Sequence, residues 1–177
     1  MIALALAGCA KSGGKKQVSA ANNEASAANK PDDMAIEVTA ATNTRNSEKD
    51  HKPVWQVSWQ RAHLLIINGR QSGTMLTVTG KLYGKDGVAS TFSGERAEAD
   101  QAQDRLIIEG SVKITSLDSP KAVLTAKKVE WIPDLQVLKA SGDVTVEGDN
   151  GVVGPIQQLY ASSDLKKVGT SQDYFKK

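Results

Sequence analysis

From Pro53 onward the chain alternates between apolar and polar side chains. The clearest stretch is Leu76-Thr77-Val78-Thr79-Gly80-Lys81-Leu82-Tyr83, and alternation of this kind sends successive side chains to opposite faces of a half-buried strand. The arrangement recurs as Leu106-Ile107-Ile108-Glu109-Gly110-Ser111-Val112-Lys113-Ile114 and as Leu138-Lys139-Ala140-Ser141-Gly142-Asp143-Val144-Thr145-Val146. Superposed on Gly80, Gly110 and Gly142, which are 30 and 32 residues apart, each copy has apolar residues two and four before its glycine and two after it. A glycine at that point fits a narrow interior, a kink or a simple bulge.

A second strand type lies between these copies. Phe92-Ser93-Gly94-Glu95-Arg96-Ala97-Glu98-Ala99 aligns with Leu124-Thr125-Ala126-Lys127-Lys128-Val129-Glu130-Trp131, and a weaker copy runs from Gly154 to Ala161. Its small or apolar positions are separated by two, then three, then two. A strict strand keeps a step of two, so the three-residue step predicts a bulge that swaps the inward face and curves the sheet. Turn signals fall at 84–87, 118–120, 133–134 and 148–151, where Gly, Asp, Asn and Pro cluster. Units of about 30 residues with two strands each cannot close a core alone but can when stacked. The expected fold is therefore all-β: a curved antiparallel β-jellyroll built from repeated strand pairs, half-open, over residues 53–170, with 171–177 as a C-terminal tail.

Before Pro53 the pattern is absent. Residues 10–52 are mostly Ala, Asn, Ser, Lys, Asp and Glu, too polar to offset ordering entropy by burial. A disordered tether over 9–52 is expected, with a flexible-coil span of roughly 35 Å. Within it, Met34-Ala35-Ile36-Glu37-Val38 is a candidate short strand or docking segment. The tether starts at Cys9, which closes the apolar run Met1-Ile2-Ala3-Leu4-Ala5-Leu6-Ala7-Gly8-Cys9. Leu6-Ala7-Gly8-Cys9 resembles the lipobox cut by lipoprotein signal peptidase, which makes 1–8 a signal peptide and Cys9 the lipid attachment site. The run is short and no basic residue precedes it, so a true start upstream of Met1 is expected. Attachment to a membrane would come through this end, because no other stretch approaches the length of a spanning helix.

Composition narrows the chemistry. The single cysteine excludes an intrachain disulfide and a thiolate zinc cluster. A net charge of +2 from 22 basic and 20 acidic residues spread along the chain gives no footprint for nucleic acid. The two histidines, His51 and His63, have no partners at ligand or triad spacing. Asp100, Asp104, Asp134 and Asp164 fall at predicted turns, where Asp serves backbone hydrogen bonds. Phosphate loops, nucleophile elbows and paired metal motifs are absent from the sequence. No catalytic residue, metal or cofactor is expected, and the chain does not read as an enzyme.

What remains is a repeated apolar stripe: Leu76, Val78, Leu82, Phe92, Leu106, Ile108, Val112, Ile114, Leu124, Val129, Trp131, Leu138, Val144 and Val146. It is either an ordinary core or, if the sheet bends without closing, the lining of a groove. A groove of branched aliphatic side chains with one or two aromatics suits acyl chains. The two readings stay open at this point.

The repeats, with Leu124-Thr125-Ala126-Lys127-Lys128-Val129-Glu130-Trp131 leading to Ala140-Ser141-Gly142-Asp143-Val144, resemble the OstA-like superfamily of lipopolysaccharide transport, LptA and LptC, and most closely its LptC-like periplasmic component. The resemblance runs from Trp55 to Thr170 and takes in Trp59-Gln60-Arg61-Ala62 and the closing phrase from Leu159 to Leu165. It implies that lipopolysaccharide acyl chains pass through the concave interior while the sheet's open edges pair with neighbouring proteins. The edge near Trp55 to Ile67 would face the permease subunits of an inner-membrane ABC transporter. The edge at Ile156, Leu159 and Ala161 would receive an LptA-like periplasmic bridge protein. A partner ATPase would supply the energy. Family members often carry an N-terminal transmembrane helix where this chain has a lipobox, so the expected location is the periplasm, lipid-anchored, on the inner membrane rather than the outer. A rival reading is a structural or adhesive surface lipoprotein with a closed β core.

Overall fold

A computed structural model of the chain describes residues 34–68, 70–100 and 103–176. The expected signal peptide, Cys9 and the tether as far as residue 33 lie outside the described residues. Strands follow one another along the chain: β1 (Met34–Asn46), β2 (Pro53–Ile67), β3 (Arg70–Gly84), β4 (Gly87–Asp100), β5 (Arg105–Ser116), β6 (Ala122–Ile132), β7 (Val137–Gly148), β8 (Gly151–Ser162) and the short β9 (Val168–Gly169). A 3-10 turn, Gln172–Phe175, lies in the expected tail. All nine strands form one antiparallel sheet in sequence order, so each pairs only with its chain neighbours and the sheet stays open. The alternating stretches read from sequence fall inside β3 to β8, and the predicted turns fall between those strands.

The three-residue step proves more general than the sequence reading had it. Along β2, Trp55, Val57 and Trp59 are buried, and the next buried residue is Ala62. In β3 the step runs from Met75 to Val78, and in β6 from Ala126 to Val129. The strand registers slip at the matching places, between Ser93 and Arg96, Glu109 and Val112, Thr125 and Lys128, and Ser141 and Val144. Aligned bulges crease the whole sheet, because each inserted residue swaps the inward face and bends its strand the same way. Gly110 and Gly142 sit on the crease at φ +77° and +78°, and a Cβ there would come within 2.6 Å of Glu95 Oε2 and 2.9 Å of Lys127 Cβ. Gly80, their partner in the sequence alignment, lies past the crease instead. An added Cβ would strike the Phe92 ring and the Gln56 carbonyl, so this glycine admits the ring to the interior.

Folding along the crease lays one half of the sheet over the other. The halves share no strand pairing; side-chain packing holds them together, with two polar clasps beside it. Arg45 at the end of β1 donates from Nε to Asp104 in the β4–β5 turn at 2.7 Å. At the other seam, the fully buried Ser90 of β4 donates to the Ser163 carbonyl at 2.6 Å, and Lys166 pairs with Asp118 at 3.0 Å.

The tether corrects first. Residues 34–46 lie in the segment that composition makes a disordered tether, yet they form β1, which begins with the candidate strand 34–38 and pairs with β2 from Met34↔Ile66 to Asn46↔Pro53. Small side chains conceal an alternation there: Ile36, Val38, Ala41, Asn43 and Arg45 are half-buried, and the residues between them are exposed. Thr42 and Ser58 hydroxyls meet at 2.8 Å, and Gln56 donates to Thr44 at 3.1 Å, so β1 is held by cross-strand polar pairs as much as by burial.

Candidate functional site

The stripe read from sequence lies almost entirely on the inner face. All its members except Leu76 and Val146 belong to one buried cluster, in which Leu82, Ile114, Leu124 and Val144 are 0% exposed. Val146 packs against the cluster's margin. Leu76 is the error: it precedes the crease residue Thr77 and faces outward, while its neighbour Met75, 2% exposed, occupies the inner position. A uniform step of two counted back from Val78 picks Leu76; the bulge moves the inward position by one. The sequence reading also missed Trp55, Val57, Trp59 and Ala62 of β2, although their own alternation marks them. The middle of the interior is therefore filled. Each buried aliphatic chain contributes about 1.5–3 kcal/mol relative to exposure, so the packed walls form a stable closed state.

The sheet's two ends differ from its middle. Met34, Leu65 and Ile67 are about half exposed where β1 and β2 begin and end, and Val152 and Val153 are 65% and 60% exposed at the start of β8. The true edges are β1 and β8. The expected edge from Trp55 to Ile67 is instead interior to the sheet, because β2 pairs with β1 on one side and β3 on the other. At the opposite edge, β9 pairs with Tyr160 and Ala161, which leaves β8 uncovered from Gly151 to Leu159. Leu159 and Ala161 point into the core and Ile156 packs at its margin, so any pairing there uses backbone and not these side chains.

A partly open pocket of about 70 Å³ lies at the inner face between β1 and β4. Its apolar side is Trp55, Trp59, Leu64 and Met75, and its polar side includes Asn43, Thr44, Gln71 and Ser72. Arg45 lines it too, and also lines the neighbouring outer groove with Trp131 and Pro133. The Arg45 guanidinium is 17% exposed and held by Asp104 at 2.7 Å and Glu48 at 3.3 Å. The hydrogen bond to Asp104 keeps it charged more firmly than a free arginine. Trp55, Trp59 and Trp131 are the only tryptophans of the chain. All three are buried, and none of their indole N–H groups has a hydrogen-bond partner. Leaving a buried donor unpaired costs about 1–3 kcal/mol.

Two of the carboxylates assigned to turns do what the turns require. Asp100 accepts from the Gln103 amide and Asp164 from the Lys166 amide. Asp104 does more, through its clasp on Arg45, a role no local signal announced because its partner is 59 residues away. Among the described residues no group of His, Cys, Asp and Glu could hold a metal ion, and no helix is long and apolar enough to cross a membrane. Two comparisons bear on the chain as a whole. The family model described as lipopolysaccharide-assembly, LptC-related, matches residues 1–156. No curated protein matches the chain.

Proposed function

The chain belongs to the LptC-related lipopolysaccharide-assembly family, a family of transport components rather than a known enzyme family, and from that premise we propose that it works without catalysis, as a conduit. Acyl chains of lipopolysaccharide pass along the inner face of the curled sheet, received from an inner-membrane ABC transporter and handed to an LptA-like bridge protein. The uncovered stretch of β8 pairs with a strand of the bridge protein, since an open sheet edge offers a ready row of backbone donors and acceptors. The β1 end faces the permease subunits. Cys9 carries the lipid anchor.

The observation that carries this reading is the way the interior closes. Opposite walls share no strand pairing, so an entering lipid can part them by exchanging side-chain contacts for acyl contacts, without breaking a ladder. Apolar surface traded for apolar surface costs little hydrophobic free energy.

A second reading, an adhesive or structural lipoprotein with a closed core, draws on the filled interior itself. In-cell photocrosslinking separates the two. With a photoreactive residue at Val112, Leu138 or Val144, the conduit predicts lipopolysaccharide adducts that are absent at the outward positions Lys113 and Glu147. No adducts at the inward positions, in a folded protein with an active transporter, would leave the stripe as a core alone.

A further inference from the structure

The outer face of the sheet is two surfaces, divided by the crease. On the side that carries Arg96, Arg105, Glu109 and Lys128, the charges answer one another in ion pairs of 2.7–3.6 Å. On the other side the outward positions are mostly hydroxyls. The strand registers bring Thr42, Ser58, Thr79, Ser93, Lys113 and Thr125 side by side across β1 to β6. A second row, two residues along each strand, runs through Gln56, Lys81, Thr91 and Thr115. At the ends of the first row the hydroxyls bond one another, Thr42 to Ser58 and Thr125 to Thr145. Between them, Thr79, Thr91, Ser93 and Thr115 make no side-chain hydrogen bond among the described residues, and neither Lys81 nor Lys113 has an ion-pair partner there. The outer face also dips at this place, into an open trough of about 370 Å³ across β2 to β5.

A threonine on an exposed strand face is ordinary, since its shape suits a strand. Two registered rows, a concave surface and two cations without counter-charge in one place are not. We propose that this trough docks an acidic glycan, and specifically a strand of the cell wall's β-linked amino-sugar polymer. Neighbouring strands are about 4.8 Å apart, close to the length of one sugar in an extended glycan. Successive sugars laid across the strands therefore each meet side chains from both rows. Sugar hydroxyls donate and accept at once, as Ser and Thr hydroxyls do, and the carboxylates of the polymer's peptide stems answer Lys81 and Lys113. The saccharide of a carried lipid is the poorer occupant. It is joined to chains on the inner face, and the packed wall, with Val57, Val78 and Ile114 behind the trough, stands between. The docking goes beyond the conduit reading and does not rest on it, because it uses the opposite face of the sheet.

The test pellets the full chain with purified cell-wall sacculi, with dextran beads as a neutral, α-linked control. The chain should pellet with sacculi and not with dextran, and high salt should weaken the binding. Thr79→Val with Thr91→Val keeps the strand-forming shape and removes two hydroxyls, and should weaken binding about fivefold or more. Lys81→Gln with Lys113→Gln should weaken it about two- to fivefold and remove most of the salt dependence. Lys121→Gln, on the β5–β6 turn, should leave binding unchanged. Lipopolysaccharide saccharide freed of its acyl chains should not displace the protein from sacculi. Thermal unfolding checks that each variant folds; if the valine pair does not, Ser93→Ala and the lysine pair carry the test. Pelleting no greater than with dextran, or equal pelleting of the original and the folded variants, would overturn the proposal. So would displacement by the freed saccharide, which would give the trough to the lipid's own sugar. Crosslinking at Val112 and Val144 reports on the conduit whatever the sacculi show.

Discussion

β1 and β8 are the two long edges of one sheet, and they are built in opposite ways. β1 carries Glu37 and Arg45, exposes mainly small and polar side chains, and is tied by Arg45 to the far wall. β8 has no charge from Gly151 to Tyr160, exposes Val152 and Val153, and carries Pro155, which has no N–H to donate. Charge on an edge strand discourages pairing and an uncharged apolar edge invites it, except at Pro155, which interrupts the row of backbone donors. On the proposed reading the difference gives the sheet a direction, with β1 as the latched edge and β8 as the edge offered to a partner's strand.

On this view the facing walls carry stability and the edges carry association. The strongest way to break it is at the walls. Val144→Arg puts an unpaired charge on a fully buried position, and it should cost more than about 4 kcal/mol and unfold the domain. Leu124→Ala, milder, should remove about 2–5 kcal/mol of unfolding free energy in a denaturant titration. A loss below 1 kcal/mol for Leu124→Ala would mean that the interior is loosely packed and the groove already open.

At the β8 edge the expectation reverses. Val152→Lys with Val153→Lys should leave the unfolding free energy within about 0.5 kcal/mol of the original, because both side chains are already in water. Capture of an LptA-like bridge protein should weaken about tenfold, equivalent to about 1.4 kcal/mol. Full-strength capture would move the receiving edge elsewhere, with β1 the next place to look.

Much of this fold was legible in the sequence. The strands β3 to β8 declare themselves because each repeats an alternation bounded by Gly, Asp and Pro. The bulges show in the Phe92 and Leu124 phrases, where the step of three is carried by residues unlike their neighbours. The start of β1 showed as the candidate strand 34–38, but its second half escaped because its inward positions there include Asn43 and Arg45, and polar side chains on a half-buried face leave no hydrophobic signal. Leu76 was misplaced for the complementary reason, since Met75 and Leu76 are both apolar and only the bulge decides which one faces in. The Trp cavity and the Arg45–Asp104 clasp depend on the halves of the sheet being folded together, and contacts between distant segments have no local signature.

The latch itself offers a smaller and sharper test. Arg45→Met keeps the stem's packing and removes the charge-assisted bond to Asp104, and Asp104→Asn removes the other partner. Each should cost about 1–2 kcal/mol. The double variant should cost less than the sum of the two, since the cycle isolates their coupling. Hydrogen exchange should quicken in β1 and remain slow in β6. Additive losses would mean that β1 is held by its ladder to β2 alone.

The smallest expected effect concerns the outer face, where charges link the central strands without touching either edge. Glu109 of β5 meets Lys128 of β6 at 3.0 Å and Arg96 of β4 at 2.9 Å. Its carboxyl is held below the usual 4.5, chiefly by the Lys128 hydrogen bond and against the opposing pull of desolvation. A folded-state pKa below the unfolded one means that the folded protein releases this proton more readily. The contribution is therefore complete above the unfolded value and is lost as pH falls through the folded one. Because the group is about a third exposed, solvent screening limits the effect to about 0.3–1 kcal/mol. Glu109→Gln should lower stability by that amount at neutral pH and remove part of the fall in stability below about pH 4.5. Edge pairing at β8 should not change, and high salt should shrink the difference. An equal slope of stability against pH in the two proteins would show that this charge network contributes nothing to holding the central strands together.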